Sequence, residues 1–218
     1  MTSATILYVT SNAEDPTFEE KIRGALLAVA GALPIISVSQ KPIDLGENIC
    51  VGERGSAYAN QYRQLLIGAT AAKTEWLIAA ESDALYPPAY FSFVPPGGDL
   101  WRYNNVWILW RNLAYGSAFK KKRNSEGGQF VRREWFINRL EGVMEGLPEW
   151  YSPESDWKVR VYRQHEWQFY GDPKEPMISV KSGRGMRPTT QIQGGSEPAD
   201  ELPFWGRADV LRKELFGG

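Results

Sequence analysis

Two carboxylates one residue apart, Glu81-Ser82-Asp83, close a run of apolar residues from Trp76 to Ala80 and are followed by Ala84-Leu-Tyr-Pro-Pro88. A short continuous apolar run bounded by turn signals reads as a strand buried on both faces, as in a parallel sheet. Pro87 and Pro88 exclude a helix there and turn the chain out of the sheet. The acidic pair therefore sits where a buried strand emerges, and in open α/β sheets that carboxyl end is where ligands bind. The competing reading is an acidic turn in solvent, and the segments before the pair weigh against it.

Those segments alternate strand and helix. Thr5–Thr10 reads as a first strand, ended by turn residues from Ser11 to Pro16. Asp15 followed by Pro16 is an N-cap with proline at the first helical position, and the helix carries Phe18, Ile22, Leu26 and Val29 inward before stopping at Gly31. Pro34–Ser39 is a second strand, so the first unit is βαβ with parallel pairing and a right-handed crossover. A long loop, Gln40–Arg54, contains Asp44; loops of that length are often functional. A helix from Ser56 to about Lys73 stacks Tyr58, Tyr62, Leu65 or Leu66 and Ala69 on one face, and leads into the acidic strand.

Beyond Pro88 strands dominate. Tyr90–Gly98 is a turn-rich connector, and Trp101–Trp110 reads as one long strand or two short ones. Phe119–Gly128 reads as a polar loop, and a helix from Arg132 to Glu145 carries Trp135, Phe136 and Leu140. Val159–Tyr162 and Pro176–Lys181 have strand character, Gly183–Pro203 is loop, and residues 209 to 216 close with a helix.

Helix, short turn, buried strand and terminal acidic pair together resemble the donor half of GT-A glycosyltransferases, over roughly residues 5 to 90. In that family a helix carrying an Arg precedes a strand ending in Asp-x-Asp; Glu81-Ser82-Asp83 stands in that place, with Arg63 near the Arg. The resemblance implies one α/β domain over residues 1–218, with a mixed, mainly parallel sheet flanked by helices. Residues to about 90 would form the nucleotide-sugar half and those from about 91 the acceptor half. It implies a nucleotide-diphosphate sugar donor, a UDP-sugar first, and a Mn²⁺ or Mg²⁺ ion held directly by Asp83. Glu81 would act through water or the donor's ribose.

The resemblance also orders the other candidates. Thr10, Ser11 and Asn12 follow the first strand and are expected at base and ribose, Asp44 to accept from a base N–H, and Arg63 to meet the diphosphate. Lys181, opening the glycine-containing basic stretch to Arg187, is expected to balance the same charge. Gly127-Gly128 and Arg132-Arg133 lead into a helix, and Glu154 and Asp156 follow in the family's order. One of them is the expected base if the enzyme inverts; a retaining mechanism needs none. His165, the single histidine, completes the metal site in some such families, although a lone histidine serves a structural role as readily.

On the acceptor side, Lys120, Lys121, Lys122 and Arg132 are interleaved with rings that include Trp110. Cations among aromatic rings suit an anionic hydroxyl acceptor, a modified nucleic acid or an acidic glycan, and the alternative is a solvated lysine-rich loop. The chain as a whole is not a nucleic-acid coat, with a formal net charge of −1 over 218 residues. One cysteine, Cys50, excludes an internal disulfide and suits a reducing compartment. No apolar run is long enough to span a bilayer, and a cytoplasmic protein is expected. Two other classes compete. A nucleotidyltransferase would carry glycines and cations after its first strand, where this chain reads Thr10-Ser-Asn-Ala-Glu-Asp15. A binding module without catalysis would have kept the fold alone.

Overall fold

The computed structural model describes residues 4–112, 116–122, 125–151, 167–180 and 197–217. The first half runs β1 (Ala4–Thr10), α1 (Pro16–Ala30), β2 (Ile35–Ser39), β3 (Glu47–Cys50), α2 (Tyr58–Ala71) and β4 (Trp76–Glu81). The chain continues through β5 (Ala84–Leu85), α3 (Pro88–Phe91), β6 (Leu100–Tyr103), β7 (Val106–Asn112), β8 (Gly116–Lys121), β9 (Gln129–Arg132) and α4 (Arg133–Met144). It closes with β10 (Gln168–Tyr170), β11 (Met177–Val180), β12 (Glu201–Leu202), β13 (Gly206–Arg207) and α5 (Ala208–Phe216).

Seven strands form the main sheet in the order β10-β6-β9-β4-β1-β2-β3, with only β9 antiparallel to its neighbours. This is the mixed, mainly parallel α/β sheet expected from the sequence. Alternation along β1 sorts its side chains between two layers, as the pleat requires. Ile6 and Tyr8 pack with Leu26 and Ala30 of α1 on one face. Leu7 and Val9 pack on the other with Ala59, Tyr62 and Leu65 of α2 and Phe136 and Leu140 of α4. A second sheet, β5-β11-β7-β8, is sealed by Phe18 and Ile22 of α1 and Leu211 and Leu215 of α5.

Several boundaries differ from the sequence reading, each for a physical reason. The expected loop Gln40–Arg54 contains β3, which pairs parallel with β2 after a return of only seven residues. That short return is possible because Gly46, with φ +58, lies against Ile35; a Cβ there would come within 2.3 Å of the Ile35 carbonyl oxygen. Trp101–Trp110 divides between the two sheets as β6 and β7. The expected polar loop after Phe119 begins as the end of β8. Val159–Tyr162 lies outside the described residues.

Candidate active site at the carboxyl edge

Glu81 ends β4 in register with Val9, so it emerges beside the carboxyl end of β1. β9 pairs with β4 only from Trp76 to Ile78, and beyond that the two strands part. Buried backbone groups must still find partners, and two tyrosines provide them. The Glu81 N–H donates to Tyr86 Oη at 2.9 Å, and that hydroxyl donates to the Gly127 carbonyl at 2.8 Å. Tyr90 Oη lies 2.8 Å from the Ala79 carbonyl and 3.2 Å from that of Gln129. Burial, and then the neighbouring Tyr90 and Glu81, raise the Tyr86 phenol well above its ordinary value. It therefore remains a donor.

The gap stitched by these phenols receives the Glu81 carboxylate. Its Oε1 accepts from Gln61 Nε2 of α2 at 3.1 Å, and its Oε2 rests where a Cβ of Gly127 would be. One residue before Gly127, Glu126 accepts from Tyr62 Oη at 2.8 Å. Adjacent residues at the start of α2 thus hold two carboxylates at one edge of the sheet. Asp83 is half-buried in the turn after β4, and its carbonyl accepts from the Val180 N–H at 2.6 Å. That bond starts a row across the second sheet, Asp83–Val180–Leu109–Phe119. At about 4.8 Å per strand, Leu109 lies about 10 Å and Phe119 about 14 Å from Asp83 along it. Trp110 and Lys120 follow Leu109 and Phe119, and Lys120 Nζ lies 5.4 Å from the Trp110 ring centre.

Among the donor-side candidates, the structure commits Thr10 and Asn12 to internal bonds. Thr10 Oγ1 donates to Glu19 Oε1 at 3.1 Å and accepts from the Asn12 N–H at 2.9 Å. Asn12, at φ 51, donates to Glu19 Oε2 and accepts from the Gln40 and Lys41 N–H groups at 2.9 and 2.8 Å. Asparagine tolerates that left-handed backbone better than most residues. Gln40 extends the brace to the Arg54 N–H and the Gly55 carbonyl, and Gln64 of α2 donates to the Thr10 and Val38 carbonyls. Side-chain amides therefore tie the loops after β1, β2 and β3 together. Ser11 stands half-buried between Thr10 and Asn12 at that edge. Glu19 beneath the brace is buried, and burial raises its carboxyl above the ordinary range despite bonds from Thr10 and the nearby Arg23.

Other candidates are placed elsewhere. Asp44 is exposed on the return from β2 to β3, one residue before Leu45, whose carbonyl accepts from Ser37. It heads toward the amino end of β2 rather than the carboxyl edge. Arg63 donates to the Glu149 and Pro148 carbonyls and lines a groove with Asn138 and Glu141 of α4 and Glu145 just after it. Two residues along a helix is a rotation of about 200°, so Gln61, not Arg63, meets Glu81. Arg132 pairs with Trp76 at the opposite end of β4 and bonds Glu75 Oε1 at 2.6 Å. The lysines do not form a solvated cluster. Lys122 is buried with its Nζ 3.2 Å from Ser125 Oγ, and Lys121 donates to Asn105 Oδ1 at 2.9 Å, 5.1 Å from the Trp107 ring centre. Burial lowers the Lys121 ammonium below its ordinary value. Glu154, Asp156, His165 and Lys181 lie outside the described residues.

Gln61, Tyr62, Tyr86, Glu126, Gly127 and Glu19 were not singled out from sequence as site residues. The Gly127-Gly128 pair before an apolar strand was the one visible signal.

No family model matches the sequence, and no curated protein matches it. Solved structures share its fold. The inositol-1-phosphate CTP transferase from T. maritima is 10% identical with a TM-score of 0.51, over 100% of this chain and 97% of that one. A glycosyltransferase involved in glycosylation of the major capsid of PBCV-1 is 12% identical, with a TM-score of 0.45 over 81% and 92%. A mannosyltransferase from Pyrobaculum calidifontis, in complex with GDP-Man and Mn2+, is 14% identical, with a TM-score of 0.44 over 83% and 56%. The likeness to the CTP transferase spans both chains, and it shows that this chain has the same α/β fold.

Proposed function

We propose that the chain is a metal-dependent glycosyltransferase that takes its sugar from a nucleoside diphosphate sugar, a UDP-sugar first. One observation carries the reading: Glu81 and Asp83 leave a parallel strand at the carboxyl edge, with the Glu81 carboxylate held by Gln61 and seated against Gly127. Glu81 and Asp83 supply the hard oxygen donors that Mn²⁺ or Mg²⁺ takes beside phosphates. Among the described residues no group of three or more His, Cys, Asp or Glu side chains is placed to hold an ion. The pair would hold an ion shared with the nucleotide. Such an ion supplies Lewis-acid stabilisation of a departing diphosphate.

The chain's own residues then orient the partners. Gln61 fixes Glu81, the braced loops after β1 and β2 form the nucleoside wall, and the second sheet presents Trp110 and Lys120 to an anionic hydroxyl acceptor. Glu154 or Asp156 takes the acceptor's proton if the reaction inverts. No described helix is long and apolar enough to cross a membrane, and the expected setting is the cytoplasm.

A nucleotidyltransferase is the second reading, and a CTP transferase is among the solved structures with this fold. The loop after β1, without glycine or cation, weighs against it. The test is turnover and thermal shift with UDP-glucose, GDP-mannose and CTP, each with and without Mn²⁺, on the native chain and on Asp83→Ala. Metal-dependent release of UDP or GDP that disappears in Asp83→Ala at unchanged stability is the expected result. Pyrophosphate release from CTP and a sugar phosphate would transfer the assignment to the second reading. An active Asp83→Ala protein at saturating Mn²⁺ would remove the first.

A further inference from the structure

The first turn of α2 ties together segments far apart in the chain. Gln61 holds Glu81, and Tyr62 holds Glu126. Asn60, one residue earlier and buried, holds two backbone segments at once. Its Nδ2 donates to the Arg54 carbonyl and, at 2.9 Å, to that of Tyr151, and its Oδ1 accepts from the Tyr151 N–H at 2.7 Å. An amide that meets both backbone groups of one residue stands in for a neighbouring strand. Arg63 adds bonds to the Pro148 and Glu149 carbonyls at 3.4 and 3.1 Å. The stretch from Pro148 to Tyr151, which lies beyond α4, is thus strapped across the start of α2 and onto the loop after β3.

Where the strap meets that loop, half-buried Trp150 lies against Arg54, whose guanidinium carbon is 4.9 Å from the ring centre. The backbone of Arg54 is held on both sides. Its N–H donates to Gln40 Oε1 at 2.6 Å, and its carbonyl accepts from Asn60. Gln40 in turn is joined to Asn12 in the loop after β1. Along the side chain, Nε donates to the Val51 carbonyl at 3.0 Å. The residue is exposed, and among the described residues no carboxylate pairs with it and nothing bonds its two terminal nitrogens. With Nε engaged and one face against an indole, the edge left open is a fork of parallel N–H groups. That is the shape that takes two oxygens of a phosphate. An arginine kept for solubility needs neither a held backbone nor a ring beneath it.

We propose that Arg54 takes a phosphate of the nucleotide and that Trp150 is its positioning residue, so that a segment from beyond α4 completes the donor side. The inference rests on the reading that the braced loops form the nucleoside wall. Arg63, expected at the diphosphate, serves the strap instead. A merely structural Arg54–Trp150 contact would change stability and treat every ligand alike. A phosphate fork separates ligands that carry phosphate from those that do not.

The experiment compares native protein with Arg54→Gln, Arg54→Lys, Trp150→Leu and the Arg54→Gln, Trp150→Leu double variant. Calorimetric titration uses UDP, GDP and uridine, each with Mn²⁺, and unliganded Tm is measured alongside. Arg54→Gln should keep a Tm close to native, bind UDP and GDP about tenfold more weakly, the scale of a hydrogen bond to a charged group, and bind uridine as before. Arg54→Lys keeps the charge without the fork and should recover only part of the loss. Trp150→Leu should weaken the same two ligands by a smaller factor and add nothing in the Arg54→Gln background. Native UDP affinity in Arg54→Gln would overturn the proposal while leaving the transferase reading in place. An equal loss for uridine would overturn the phosphate assignment. If the native chain binds neither nucleotide, that reading fails, and inorganic pyrophosphate becomes the probe. A rise in Tm with pyrophosphate that disappears in Arg54→Gln then sustains the fork, and no rise, or the same rise in both, overturns it.

Discussion

Glu81 and Gly127 share one volume: a Cβ on Gly127 would lie 2.2 Å from Glu81 Oε2, 2.4 Å from its Cδ and 2.8 Å from its Cγ. Because three atoms of the side chain are involved, turning the tip alone does not relieve the overlap. Gln61 holds the opposite oxygen at 3.1 Å and limits retreat.

Gly127→Ala is therefore expected to displace the carboxylate. Overpacking of this kind costs about 1–3 kcal/mol, and donor turnover should fall further than that stability loss explains. Urea unfolding and donor hydrolysis, measured on one preparation at a temperature where the variant is fully folded, separate the two effects. Native turnover in Gly127→Ala would mean that Glu81 can move without consequence.

Tyr86 offers a cleaner deletion. Its hydroxyl joins the Glu81 N–H to the Gly127 carbonyl where β4 and β9 part. Tyr86→Phe keeps the packing and leaves both buried groups without that partner, at a cost of about 1–3 kcal/mol for each group left unsatisfied. A drop in unfolding free energy of at least the lower figure is expected, with no change in m-value. An unchanged midpoint would show that the backbone groups find other partners.

The parts legible in the sequence are those where burial and local chemistry agree. Trp76–Ala80 announced itself because a parallel strand is covered on both faces, and Asp15-Pro16 marked the start of α1 because it is both cap and first turn. β3 was hidden: Glu47-Asn-Ile-Cys50 lies at the sheet edge, half exposed, with no apolar run to mark it. Arg63 is expected at the diphosphate from the family's order alone, whereas helix phase places Gln61 against Glu81. Glu19 stands in the first turn of α1, where nothing in the sequence marks it, and only the fold shows it buried beneath Asn12. Lys120, Lys121 and Lys122 read as one set, an acceptor-binding cluster or else a solvated loop, but strand alternation sends them to different faces.

Glu19 should leave a signature in the pH dependence of stability. Its carboxyl is raised by burial, so the native state holds the proton more tightly than the unfolded chain does. The resulting stabilisation is present below the ordinary glutamate range and is lost as pH rises through the raised native value. Glu19→Gln removes this titration while keeping groups that can bond Thr10 and Asn12. The stability of the native protein relative to the variant should therefore fall as pH climbs out of the glutamate range, then level off. Urea unfolding of both in steps from about pH 4 to about pH 8 tests this; curves that stay parallel would contradict it.

The lysines give the last prediction, because the structure separates what the sequence ran together. Lys122 is buried beside Ser125, under the turn that carries Glu126 and Gly127. Lys120 is half-buried, lies over Trp110 and follows the row that starts at Asp83. Lys122→Ser is expected to destabilise the fold and should not be read as an acceptor defect. Lys120→Gln should leave Tm and donor KM close to native while weakening an anionic acceptor. If the cation meets a phosphate or carboxylate, the acceptor KM of the native enzyme rises steeply with salt, and the slope becomes shallower in Lys120→Gln. Trp110→Leu should raise acceptor KM without changing that slope, since a stacking ring contributes contact rather than charge. Equal salt slopes in native protein and Lys120→Gln, with an acceptor shown to be turned over, would remove Lys120 from the acceptor site and leave it as a packing partner of Trp110.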